Sequence, residues 1–263
     1  MKKLSKSQYV EAMKLYEDGQ TSLVDIGYKF GVTSSSIIQY AKRHNLYISR
    51  VNSYSINENI FDEIDSEPKA YWLGFLVADG CVCNGTISFC LSAKDCAHLK
   101  LFKNFVSSNH PINDFDNNGY KGVRFTFRNK HIATAIRNLG VPADKSHNLV
   151  DFPTIPEKLK RHFLRGVFDG DGCFNVTKIG NHKKLRMVLI STIKMSEVIQ
   201  KELMEKCQLN KTKLRVPKNS PSSAYIEYKG NLQLKRIYDY FYEDATVYLE
   251  RKRDIADRVL SNL

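Results

Sequence analysis

Residues 163–172 read Phe-Leu-Arg-Gly-Val-Phe-Asp-Gly-Asp-Gly, and residues 72–80 read Trp-Leu-Gly-Phe-Leu-Val-Ala-Asp-Gly. Each stretch is apolar and ends on an acid followed by glycine, the last acids being Asp79 and Asp171. The pattern predicts two helices, the second closed at Gly172, because glycine readily takes the left-handed conformation that ends a helix. A carboxylate in the last helical turn faces the negative end of the helix dipole, which costs about 0.3–1 kcal/mol. The same unfavourable placement, made twice, asks for a compensating cation or a shared proton.

Gly74 and Ala78 in the first stretch, and Gly166 and Gly170 in the second, are small residues spaced four apart, on one helical face. Two such faces can pack closely along their length, which would set Asp79 and Asp171 at one level. Carboxylates about 4 Å apart repel by roughly 4 kcal/mol at an effective dielectric near 20. Hard Mg²⁺ matches carboxylate and carbonyl oxygens, and the free helix-end carbonyls of Ala78 and Gly170 complete the expected ligand set. Two such ions around a phosphate can activate water on one side and stabilise the leaving oxygen on the other.

Outward from the motifs the chain repeats itself. After the first, CVCNGTISFCL carries an Asn84-Gly85 hairpin signal with Ile87, Phe89 and Leu91 alternating. A helical KDCAHLKLFKNFV follows, then a second strand pair around Asn118-Gly119, and then the helical HIATAIRNLGV. The second half replays this order: hairpin-like FNVTKIGNHKKLRMVLIST, helical SEVIQKELMEKCQL, β-like KTKLRVPKNSPSSAYIEYKG, and closing helices in NLQLKRIYDYFY and YLERKRDIADRVL. Each half reads αββαββα. A sheet that is apolar on one face and bears Arg, Lys, Thr and Asn on the other suits a DNA groove. Arg124, Thr126, Arg128, Lys183, Lys184, Arg186, Lys213 and Arg215 are the candidate contacts.

Charge supports a polyanionic partner. The 263 residues carry a net +12, with +4 in residues 1–50, −5 in 51–67 and +13 in 68–263. In the N-terminal segment, SLVDIGYKFGVTSSSIIQYAKRHNL places Leu23, Ile26 and Phe30 on one helix, breaks at Gly31, and starts a second helix after Thr33 or Ser34. This is similar to a helix-turn-helix DNA-binding motif, with Ser34, Ser35, Ser36, Gln39 and Lys42 on or near its exposed face. The expected boundaries are a helix-turn-helix domain at 1–50, an acidic linker at 51–67, and halves at 68–157 and 158–263. The six cysteines make no CxxC pair or zinc spacing and read as reduced, half-buried residues. No run of eighteen apolar residues and no signal peptide is present, so a cytoplasmic protein is expected.

AYWLGFLVADG and FLRGVFDGDGCF, with the repeat order around them, resemble the LAGLIDADG homing endonucleases of the double-motif, single-chain kind, over about residues 60–263. The resemblance implies an α+β fold: two pseudo-symmetric αββαββα halves forming a DNA-binding saddle, here preceded by a small all-α helix-turn-helix domain. It implies that Asp79 and Asp171 coordinate divalent metal at the base of the saddle, and that the motif helices form the interface between the halves. The earlier, less essential acid position holds Val77 in one motif and Asp169 in the other. Members often carry a basic residue near the scissile phosphate in each half. Lys145 and Lys252 stand at the corresponding points, Lys252 with Arg251 and Arg253 as competitors. The activity implied is Mg²⁺-dependent, site-specific cleavage of both DNA strands by a monomer, leaving 3′ extensions. A non-cleaving DNA-binding regulator and an intron-splicing maturase remain open on the same scaffold. The ends MKKLSK and LSNL lack the Cys or Ser start and the terminal His-Asn pair of an intein, so a free-standing or intron-encoded enzyme is expected.

Overall fold

A computed structural model of the chain describes residues 4–17, 21–45, 54–143, 145–149, 151–179 and 182–261. It divides into two compact units, residues 1–55 and 56–263. The small unit holds α1 (Lys6–Glu17), α2 (Leu23–Phe30) and α3 (Ser34–Arg43). Ser22 and Thr33 cap α2 and α3 by accepting from the Asp25 and Ser36 amides. Gly31 ends α2 at φ 68°, a left-handed conformation. Gly27 is required for closeness: a Cβ there would lie 2.7 Å from the Val32 carbonyl oxygen. Ile26, Ile37, Ala41, Ala12 and Met13 fill the core between the three helices.

The larger unit starts earlier than the composition suggested. Phe61 and Ile64 are buried in its core, and Ile56 and Ile60 pack against it, so the expected linker belongs to the body from residue 56 onward. Residues 51–53 lie outside the described ones. The acidic composition of this stretch reflects an exposed outer side, whereas its apolar residues are what anchor it.

The two motif stretches are α4 (Glu67–Asp79) and α8 (Lys160–Asp171), packed side by side. Their small residues are at the contact. A Cβ on Gly166 would lie 2.7 Å from the Phe75 amide nitrogen, and one on Gly74 2.9 Å from the Phe163 carbonyl carbon. Gly170 faces Ala78 across the same seam. Gly172 departs from the expected left-handed cap: at φ −88° and ψ 166° it is extended, as is Gly80 at −81° and 162°. Each helix turns directly into a strand, and what demands glycine is space, since a Cβ at Gly172 would meet the Phe168 ring and one at Gly80 would lie 2.6 Å from the Leu76 carbonyl oxygen.

The first half follows with β1 (Gly80–Cys83), β2 (Thr86–Ser92), α5 (Cys96–Phe105), β3 (Ile112–Asn117), β4 (Tyr120–Arg128) and α6 (Lys130–Asn138). The strands make an antiparallel sheet in the order β1-β2-β4-β3. Both predicted hairpins form, with Asn84-Gly85 at φ 49° and 80° and Asn118-Gly119 at 53° and 86°. Ile87, Phe89, Leu91, Val123, Phe125 and Phe127 face the core. A short helix α7 (Lys145–Asn148) leads toward the second half.

That half comprises α8, β5 (Gly172–Ile179), β6 (His182–Thr192), α9 (Ile193–Cys207), β7 (Ser223–Lys229), α10 (Asn231–Tyr242) and α11 (Glu250–Leu260). Its sheet has the order β5-β6-β7. The expected fourth strand is reduced to one bridge between Arg215 and Tyr225. Pro217 and Pro221, which lack the N–H a ladder needs, interrupt this segment. The fold is therefore α+β with two related halves, the second one strand short of αββαββα. Among the described residues, no helix is long and apolar enough to cross a membrane.

Candidate active site

Asp79 and Asp171 are the last residues of α4 and α8, and both keep exposed side-chain surface. Partial burial pushes Asp79 above the usual carboxylate range, against the pull of Lys252 and Lys145. Asp171 is pushed up to about 6, first by burial and then by the charge of Asp79. The charge of Asp79 is thus felt at Asp171, and solvent screens part of it.

Both expected lysines arrive at the helix ends. Lys145 donates from Nζ to the carbonyls of Val77 and, at 2.7 Å, Ala78. Lys252, 5% exposed, donates to the carbonyls of Phe168 at 3.0 Å, Asp169 at 2.5 Å, Gly170 at 2.9 Å and Gly172 at 2.5 Å. Burial lowers the pKa of each, and the nearby aspartates oppose it. Each motif helix thus ends on an ammonium that satisfies its orphan carbonyls and balances the dipole. The carbonyls of Ala78 and Gly170, expected as metal ligands, each accept from a lysine and keep a second lone pair. The three protons of the Lys252 ammonium are shared among the four carbonyls within its reach. The competitors of Lys252 turn elsewhere. Arg251 forks onto Asp95 at 2.7 and 2.9 Å, and Arg253 lies 4.4 Å over the Tyr248 ring.

Among the described residues no group of three or more His, Cys, Asp or Glu side chains could hold a metal. The side-chain donors available to a divalent ion at the helix ends are the two carboxylates, with the Ala78 and Gly170 carbonyls beside them. That set fits Mg²⁺, which keeps several waters and is commonly held by one or two carboxylates plus substrate phosphate. Beside it, Lys145, Asp171, Ser191, Thr192 and Ser223 help to line a cavity of about 200 Å³.

Beneath the carboxylates lies a buried polar network that the motif reading did not anticipate. Asp169, fully buried, accepts from Tyr71 Oη at 2.8 Å, Tyr242 Oη at 2.9 Å and the Leu249 amide at 2.7 Å. Tyr71 gives its one proton to Asp169, so His98 Nε2, 2.9 Å away, must donate to the tyrosine oxygen. Burial holds His98 near 4, hence neutral at pH 7. Arg165, also fully buried, donates to Glu67 at 2.6 Å and to the Phe241 and Val247 carbonyls at 2.7 and 3.0 Å. Glu67 begins α4, so this pair ties one motif helix to the other. The one sequence signal was a pair of charges, Arg165 and Asp169, four apart within the apolar stretch 163–170.

The sheet faces place most of the predicted contacts outward. Arg124, Thr126 and Arg128 are exposed on β4, opposite Cys90, Ser88 and Thr86 of β2. Lys184 and Arg186 are exposed on β6, and Lys213 and Arg215 are exposed beside β7. Lys183 is also exposed, at the end of β6, on the strand parity of buried Leu185 and Met187 rather than that of Lys184 and Arg186. Glu227 was missed. It sits between Arg186 at 2.6 Å, Lys229 at 3.1 Å and Arg215 at 3.4 Å. Arg186 approaches off the hydrogen-bond direction, leaving Glu227 Oε1 charge-paired without a directed bond. The cysteines also differ from expectation: Cys81, Cys83, Cys90 and Cys173 are exposed and only Cys207 is buried. All four exposed ones lie on outward strand positions. In the small unit, Ser35, Gln39 and Lys42 are exposed, whereas Ser34 and Ser36 are half-buried, with Ser36 bonded into the Thr33 cap at 2.9 Å.

Two glycine-faced helices, each running into an antiparallel sheet and meeting at paired carboxylates, define the LAGLIDADG homing-endonuclease fold, and the chain has that fold. It is similar to meganuclease I-SmaMI bound to uncleavable DNA with a TTGT central four, at 12% identity over 73% of this chain and 90% of that chain, with a TM-score of 0.53. It is similar also to LAGLIDADG meganuclease I-CpaMI bound to uncleaved DNA, at 14% identity over 73% and 92% of the two chains, with a TM-score of 0.51. At these identities the likeness is one of fold. No protein-family model and no curated protein matches the sequence.

Proposed function

We propose that this chain is a site-specific, divalent-metal-dependent endonuclease that cuts both strands of a long DNA target as a monomer. The observation that carries the reading is the placement of Asp79 and Asp171 at the ends of two packed helices, each end held by a lysine, between two basic sheet faces. Under it, Asp79 and Asp171 hold Mg²⁺, which when bound supplies Lewis acidity toward the scissile phosphate and its attacking water. Lys145 and Lys252 keep positive charge at the helix ends, where charge builds on the phosphate in the transition state. Neither lysine is a free arm, since each is held by backbone carbonyls. Water adds to phosphorus as it loses a proton to solvent, and the 3′ oxygen leaves and is protonated, giving 5′-phosphate and 3′-hydroxyl ends; the offset between the two cuts would give the 3′ extensions that the family resemblance implies.

Exposed residues of the two sheets, Arg124, Thr126, Arg128, Lys184, Arg186, Lys213 and Arg215, would read the major groove on either side of the cut. Ser35, Gln39 and Lys42 on α3 would add contacts outside the core site. Lys183, at the exposed end of β6, and the half-buried Ser34 and Ser36 would contribute at the edges of these surfaces. The test is a cleavage selection on a randomised duplex library. Enrichment of one long cut site in Mg²⁺, and binding of the same site without cutting in Ca²⁺, is the expected outcome. A site that is bound and never cut in Mg²⁺ would instead make the protein a DNA-binding regulator.

A further inference from the structure

The two halves differ most sharply at one pair of equivalent positions, Val77 and Asp169, each two residues before its motif's final acid. Val77 packs into the apolar core. Asp169 closes a loop of contacts that returns to its own backbone. Its carboxylate accepts from the Leu249 amide at 2.7 Å, immediately before α11 begins at Glu250. The first turn of α11 hangs from Leu249, whose carbonyl accepts from the Lys252 amide at 2.9 Å. The Lys252 ammonium then returns to the Asp169 carbonyl at 2.5 Å and to its neighbours. Tyr242 from α10 and Tyr71 from α4 of the other half steady the carboxylate with one donor each. In the first half, Lys145 starts a four-residue helix, is half-buried, and among the described residues donates to the Val77 and Ala78 carbonyls.

From these contacts, and resting on the nuclease reading above, we infer that Asp169 is a positioning residue that clamps α11 so that Lys252 is fixed at one half of the site, leaving the Lys145 half without an equivalent. The two strands are then cut by unequal machinery. The Lys252 half is preorganised through side chains from α4, α10 and α11, while the Lys145 half depends on a short helix. Removing a group that orients another typically costs about 10- to 100-fold. Here that loss should fall on one strand.

The experiment uses the full chain and two readouts. The first is amine labelling of Lys252 and Lys145 by reductive methylation, followed by mass spectrometry, with no DNA present. Asp169→Asn should raise the Lys252 labelling rate and leave Lys145 unchanged. Tyr242→Phe removes one donor of three and should give a smaller change of the same sign, so the clamp stays testable if Asp169→Asn folds poorly. The second readout is single-turnover nicking of each labelled strand of the selected target. Asp169→Asn should slow the strand that Lys252→Met slows, through kcat, with the other strand and DNA affinity in Ca²⁺ unchanged. Unchanged Lys252 labelling in both folded variants, or equal slowing of both strands, overturns the clamp. If the wild type cuts neither strand while Lys252 becomes reactive in Asp169→Asn, the nuclease reading fails and the clamp stands.

Discussion

Gly166→Ala tests the helix seam directly, because two opposing terms can be weighed. In an open helix, alanine would stabilise by about 1 kcal/mol over glycine. At Gly166 the added Cβ would lie 2.7 Å from the Phe75 amide nitrogen and 3.0 Å from the Tyr71 carbonyl carbon, and closer still to the Tyr71 oxygen. These partners are backbone of the neighbouring helix, so no side chain can swing aside. Ordinary contact is 3.4 Å or more, and α4 and α8 must separate by much of an ångström along their closest stretch. Overpacking of this kind costs typically 1–3 kcal/mol and sometimes more, and the backbone partners place this site at the upper end. A net loss of about 2 kcal/mol follows, which for a body of 150–250 residues lowers Tm by roughly 4–8 °C. Thermal unfolding followed by circular dichroism reads it out. An unchanged or raised Tm would refute the close seam, and with it the argument that the seam sets Asp79 against Asp171.

Other consequences are as specific. Lys252→Met strips the donor from four carbonyls and should cost about 2–4 kcal/mol, read as a lowered urea midpoint; Lys145→Met, with fewer bonds lost, should cost less. Asp171 titrates near 6 in the folded chain, above its unfolded value, so its ionisation disfavours the metal-free fold. Metal-free stability should therefore fall as pH rises through 6, while Mg²⁺ affinity and cleavage rise over the same interval; Asp171→Asn should flatten the stability slope. Glu227→Gln frees Arg186 and Arg215 from a shared carboxylate, and should steepen the salt dependence of non-specific DNA binding by up to about one unit of log–log slope.

What was legible in the sequence was local or repeated. The glycine spacing in each motif, the Asn-Gly hairpins and the alternation in VRFTFR each lie within a dozen residues, and all formed as read. Two further facts were present but passed over: Lys183 shares the parity of Leu185, and Pro217 and Pro221 interrupt the last predicted strand. The buried network was not legible. Asp169 gathers partners from positions 71, 242 and 249, and Arg165 finds Glu67 from 98 positions away. Such pairings are set by packing, which no short window contains. The lysines' hold on the helix-end carbonyls is of the same kind. Spacing can show that a helix ends on orphan carbonyls, whereas which donor reaches them is decided by the fold.

The central claim is that Asp79 and Asp171 form one metal-dependent cleavage site. Its most direct test is cleavage of both labelled strands of the selected duplex in Mg²⁺ by Asp79→Asn and Asp171→Asn, alongside binding of the same duplex in Ca²⁺. The account predicts loss of cutting on both strands in each variant, with the target still bound. Cutting by either variant within about threefold of wild type, a difference of less than 1 kcal/mol in barrier, would contradict it.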